Sequence, residues 1–154
     1  MTDPRAHHVG VTVSDLDRCT EFYRDVLGFD VVDRFSVGGE SFAAAVGVDG
    51  ASGRFVHLSA DGLRPSSTRG SRDDARGVRV ELVEYDPAGD DLPTASVDRA
   101  GATHLGFAVD DVDAFYEDLP DDVETLSAPK TTESGTRICF LRDPEGNLVE
   151  LLEA

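Results

Sequence analysis

Apolar and polar residues alternate one by one at two places in this chain, and each place leads into apolar residues at helical spacing. Val9, Val11 and Val13 alternate with His8, Gly10 and Thr12, the two-residue period of a strand with one buried face. Ser14 or Asp15 then supplies a helix N-cap. Leu16, Cys19, Phe22, Tyr23, Val26 and Leu27 follow at helical spacing up to Gly28, where a C-cap glycine belongs. A second strand over 103–109 leads to a cap at Asp110 or Asp111. The helix after it is shorter, carries Val112, Phe115, Tyr116 and Leu119, and stops at Pro120. Strand-like runs come next, at 30–37, 54–59 and 78–85 in the first half and at 124–126, 137–142 and 148–152 in the second. The turn Asp143-Pro144-Glu145-Gly146-Asn147 joins the last two. Each half reads β-α-β-β-β.

The halves also match residue by residue, which marks a duplicated unit. Residues 8–17 align without gaps on 104–113, with His, Gly, Val, Asp and Asp identical at matching places. Val80-Glu81-Leu82-Val83-Glu84 matches Val149-Glu150-Leu151-Leu152-Glu153. The predicted organisation is one domain over 1–154: a first module of about 6–85, a linker of about 86–99 broken by Pro87, Gly89 and Pro93, and a second module of about 100–154. The first module is longer. Its surplus is a short helix predicted over 41–48 and a Ser-, Arg-, Gly- and Asp-rich stretch, 62–77, that reads as a mobile surface loop or a lid.

Composition narrows the function. The chain has 31 Asp plus Glu against 14 Lys plus Arg, a formal net charge of −17 over 154 residues. Such a surface repels phosphate backbones and anionic membranes, so neither nucleic acid nor membrane is an expected partner. Lys130 is the single lysine. Asp-rich, Lys-poor surfaces resemble those of proteins working in concentrated salt, where the Debye length shrinks to about 3 Å at 1 M and like charges stop repelling. No apolar run approaches the roughly 18–20 residues of a membrane span, and the N-terminus lacks a secretory h-region, so the expected location is the cytoplasm. Cys19 and Cys139 are lone cysteines without metal-ligand spacing and read as small buried hydrophobes.

The repeat picks out candidate metal ligands. Positions 8 and 104 are equivalent, as are 81 and 150, so packing about a pseudo-twofold axis would gather His8, Glu81, His104 and Glu150 around one point. Two imidazoles and two carboxylates suit a borderline divalent ion such as Zn, Ni, Co, Mn or Fe. Glu81 and Glu150 each interrupt an apolar run, and burying an unpaired carboxylate costs on the order of several kcal/mol that a metal would offset. His7 is set aside because its counterpart is Thr103. Glu84 is set aside less firmly, because its counterpart is Glu153. His57 faces either a pocket or the core.

These segments resemble the vicinal oxygen chelate superfamily, which includes glyoxalase I, methylmalonyl-CoA epimerase, extradiol dioxygenases, fosfomycin-resistance enzymes and bleomycin-binding proteins. The matching pieces are H-V-G-V-T-V-S-D-L-D-R at 8–18, F-Y-R-D-V-L-G-F at 22–29, V-E-L-V-E-Y at 80–85, H-L-G-F-A-V-D-D-V at 104–112 and D-P-E-G-N-L-V-E-L at 143–151. The resemblance implies an α+β fold, with two tandem βαβββ modules forming an open, curled eight-stranded barrel-like sheet around the metal. The full His/Glu/His/Glu set is closest to glyoxalase-type lyases. Epimerases usually carry Gln at the place of Glu81, and extradiol and fosfomycin enzymes use two His and one Glu. The implied function is a metal-dependent lyase or isomerase acting on a small molecule with vicinal oxygens through a metal-stabilised enediolate. Glu150 or Glu81 would move the proton, with Glu150 favoured by analogy with glyoxalase I. An Fe(II) extradiol-type dioxygenase and a metal-free binder of a small toxic molecule are the alternatives. The resemblance also implies a homodimer.

Overall fold

The computed structural model describes residues 4, 6–60, 78–92 and 96–153. The surface-loop or lid reading of 62–77 lies outside the described residues. The chain divides into two compact units, Met1–Gly89 and Asp90–Ala154. Among the described residues there are eight strands in two four-stranded mixed sheets, with few helices: an α+β architecture of tandem βαβββ modules.

In the first unit β1 (His8–Thr12) leads into α1 (Leu16–Glu21), which continues as a π-helical turn over Phe22–Val26. Asp15 is the N-cap and accepts a hydrogen bond from the Arg18 N–H at 3.0 Å. Gly28, at φ 74°, takes the left-handed conformation that lets the chain leave the helix. β2 (Asp30–Val37), α2 (Glu40–Val46), β3 (Ser52–Ser59) and β4 (Arg79–Asp86) complete the unit in the sheet order β1-β4-β3-β2. β1 runs parallel to β4, and the other pairs are antiparallel.

Strand alternation divides this sheet into two chemically different faces. Val80, Leu82, Val56 and Leu58 are buried on the face that carries α1, whose Leu16, Cys19, Phe22 and Tyr23 are also buried. Glu81, Val83 and Tyr85 on β4, and Phe55 and His57 on β3, project from the other face, where the Phe35 and Phe55 rings stack at 5.0 Å.

The second unit repeats the plan with β5 (His104–Val109), α3 (Val112–Glu117), β6 (Lys130–Thr131), β7 (Arg137–Arg142) and β8 (Leu148–Glu153), in the order β5-β8-β7-β6. Its helix-side core is Val112, Cys139, Leu141, Val149 and Leu151. Both cysteines are free and buried, and burial pushes the Cys139 thiol up. Asp143 holds the final turn, accepting from the Glu145 and Asn147 backbone N–H groups at 2.9 Å.

One predicted strand is corrected. Residues 124–126 meet the β7 backbone through an isolated bridge, Thr125 to Leu141, and flanking backbone hydrogen bonds, not through a continuous ladder. The extra strand of this sheet is Lys130–Thr131 instead. Pro129 lacks an N–H, so a continuous ladder cannot run through it.

Candidate metal centre

Register places each candidate histidine beside its carboxylate. In the parallel β1–β4 pair Gly10 lies opposite Glu81, and in β5–β8 Gly106 lies opposite Glu150. His8 and His104 sit two residues earlier, on the same face as these glycines. A Cβ at Gly10 would stand 3.9 Å from Glu81 Oε1, and one at Gly106 would stand 3.7 Å from Glu150 Oε2. Any longer side chain there would meet the carboxylate. The glycine in each H-x-G segment thus keeps the space in which His and Glu approach.

The resulting separations are alike: 3.6 Å between His8 Nε2 and Glu81 Oε1, and 3.2 Å between His104 Nε2 and Glu150 Oε2. Two donors each about 2.1 Å from one tetrahedral or octahedral ion stand about 3.0–3.4 Å apart. Both pairs suit a borderline divalent cation in donor chemistry; the 3.2 Å pair falls within that spacing, and the 3.6 Å pair would have to close by a few tenths of an ångström. The structure brings the four candidates together as two separate pairs, His8 with Glu81 in the first unit and His104 with Glu150 in the second. His7 plays a supporting part: its Nδ1 lies 2.8 Å from His8 Nδ1, which leaves His8 Nε2 to face Glu81.

The competing glutamates have a different task. Glu84 Oε2 accepts from the Leu16 backbone N–H at 2.9 Å, and Glu153 Oε1 accepts from the Val112 N–H at 3.0 Å. Each carboxylate caps the helix of its own module, on the opposite sheet face from Glu81 or Glu150. Two arginines that sequence reasoning passed over belong to the same arrangement. Arg54 holds Glu84 Oε1 at 2.8 Å and approaches Asp17 at 3.7 Å, while Arg137, at the equivalent strand position, takes both oxygens of Asp113 at 2.9 and 2.6 Å. The Leu16 N–H, with Arg54 behind it, holds the Glu84 carboxyl below the usual glutamate range, and Arg137 does the same to Asp113.

Asp111, Asp113 and Glu153 bring carboxylate oxygens within 4.8 Å of one another. Each already has a protein partner: the Ala114 N–H for Asp111, Arg137 for Asp113 and the Val112 N–H for Glu153. Asp111 and Glu153 thus cap α3, and Asp113 is tied to Arg137 of β7.

His57, left between pocket and core by the sequence, proves to face Glu81. It lies opposite Glu81 in the β3–β4 register, is 7% exposed, and its Nε2 is 2.6 Å from Glu81 Oε2. The equivalent place in the second unit, opposite Glu150, is Phe140, whose ring meets His104 edge-on at 5.3 Å. Finding His57 from sequence required the antiparallel register, which no local motif encodes.

The model of the Glyoxalase/Bleomycin resistance protein/Dioxygenase superfamily matches residues 5–151, and the chain belongs to that superfamily. Among solved structures, a glyoxalase family protein from Bacillus cereus is similar at TM-score 0.78 and 24% identity, over 99% of this chain and 95% of that one. The trypanothione-dependent glyoxalase I of Leishmania major gives TM-score 0.60 and 24% identity, covering 98% and 87%. A glyoxylase/bleomycin resistance protein/dioxygenase domain from Frankia gives 0.65 and 22%, covering 99% and 93%. At these identities the likenesses speak for the fold. None of the curated proteins compared matches the chain. No helix among the described residues is long and apolar enough to cross a membrane.

Proposed function

We propose that this protein is a divalent-metal-dependent lyase or isomerase of the glyoxalase type, acting on a small substrate with oxygens on adjacent carbons. The observation that carries the reading is the repeated His–Glu pair, 3.6 Å apart in one module and 3.2 Å in the other, at matching register positions. In this reading His8, Glu81, His104 and Glu150 would be ligands for a divalent ion of Zn, Ni, Co, Mn or Fe. When bound, the ion supplies Lewis acidity that stabilises negative charge on oxygen next to a carbon losing its proton.

The chain's own residues then divide the work. His8, His104 and Glu81 fix the donor frame. Glu150 would take the proton from the oxygen-bearing carbon next to the substrate carbonyl and return it to the neighbouring, former carbonyl carbon. The difference between His57 and Phe140 supports this order, because Phe140 offers the Glu150 carboxylate no hydrogen bond where His57 offers one to Glu81. We propose further that the protein works as a homodimer, for which sedimentation showing only a 16.5 kDa species would be the contrary result.

Elemental analysis of the purified protein is the first test, with about one divalent ion per chain expected. Turnover of 2-oxoaldehyde thiol adducts and α-hydroxycarbonyls with Mn, Co, Ni or Zn should then proceed without oxygen uptake. Oxygen-dependent cleavage of a catechol with Fe(II) would establish the dioxygenase chemistry in its place. A folded protein that takes up no metal would establish the binder.

A further inference from the structure

Among the described residues, Glu81 is the carboxylate of the two pairs that a histidine faces at each oxygen. Oε1 faces His8 Nε2 at 3.6 Å, while Oε2 sits 2.6 Å from His57 Nε2. A carboxylate only accepts, so His57 donates from Nε2. The histidine is fixed in turn, by its buried place on β3 and by the Phe35 ring, edge-on at 5.1 Å. Its Nε2 therefore holds a set point on the sheet face. The backbone alone does not require such a partner, since the second module keeps the same register with Phe140 there.

We infer that His57 is a positioning residue: it grips Glu81 by Oε2 so that Oε1 alone is presented beside His8. The inference rests on the reading of Glu81 as a metal ligand. It makes Glu81 a fixed donor through one oxygen, unable to swing or to close on an ion with both oxygens. Groups that hydrogen-bond a ligand in this way typically change metal affinity by about 10–100-fold when removed. No proton moves to or from substrate through His57.

The test is titration of the metal-free protein with Co²⁺, followed by calorimetry and by the visible spectrum of the bound ion. His57→Phe, which copies the second module, should weaken Co²⁺ binding by about 10–100-fold and alter the spectrum. His57→Gln, whose amide N–H reaches towards the place of Nε2, should recover most of the affinity. In a Glu81→Ala background His57→Phe should cost nothing more, because its effect passes through Glu81. If Phe cannot be accommodated, His57→Leu carries the same comparison. Wild-type affinity in the donor-free variant, or an equal loss with and without Glu81, would overturn the inference while the metal reading stands. A wild-type protein that binds no Co²⁺ would overturn both.

Discussion

The two modules share strand order, register, a His-x-Gly segment, a carboxylate opposite that glycine and a second glutamate capping the helix. They differ in the residue across the sheet from the carboxylate. In the first module His57 ties Glu81 down, and in the second Phe140 leaves Glu150 without a donor at that place. Duplicated backbone geometry therefore sets where each His and Glu lies, and one side chain on the neighbouring strand sets whether the carboxylate is hydrogen-bonded across the sheet.

The strongest way to break that picture is to remove one histidine from each module in turn. His8→Ala and His104→Ala should each lose bound metal, measured by elemental analysis after dialysis, if the proposed ligands His8 and His104 are both needed to retain it. Retention of metal in His104→Ala alone would mean that the first module, with His7, His8, His57 and Glu81 close together, holds the ion without its counterpart.

Next in size is the contrast between the two carboxylates. Glu150→Gln keeps an oxygen that can ligate but cannot accept a proton, so kcat at saturating metal should fall by about 10²–10⁴-fold with metal retained. Glu81→Gln should act mainly on metal affinity and lower kcat much less once the site is filled. Equal losses of kcat in the two variants would erase the division of labour.

Much of this comparison was legible in the sequence because it is local or repeated. The alternation at 8–13, the helical spacing from Leu16 to Leu27 and the V-E-L-x-E repeat specified the elements and the four ligand candidates. What escaped is fixed by partners distant in sequence. Lys130–Thr131 is too short to show a period and exists through its pairing with β7. Glu84 looked like a rival ligand because spacing alone cannot show that it meets the Leu16 N–H, and Arg54 and Arg137 show no pattern until β3 and β7 are folded beside the helix starts.

Those caps give the smallest and most finely graded difference between the modules. Glu84 accepts from Leu16 and also takes Arg54, whereas Glu153 accepts from Val112 while Arg137 is hydrogen-bonded to Asp113. Losing a helix cap costs about 0.5–2 kcal/mol. Replacement by Gln preserves an acceptor and removes only the charge, so Glu84→Gln should lie near the lower end of that range at pH 7 and Glu153→Gln below it. The pH dependence separates charge from shape. The Glu84 carboxyl is held below its usual range by the Leu16 N–H and then by Arg54. A depressed folded-state pKa means that the stabilisation is complete above the unfolded-state value of about 4.3 and is lost as pH falls through the lower folded value. Urea unfolding of wild type and Glu84→Gln should therefore differ at pH 7 and converge as the pH falls through the lowered folded-state pKa, below which the glutamic acid is as neutral as the amide. A gap that persists in acid would show that Glu84 acts through its packing, and that Arg54 adds nothing to the cap of the first module that the second module lacks.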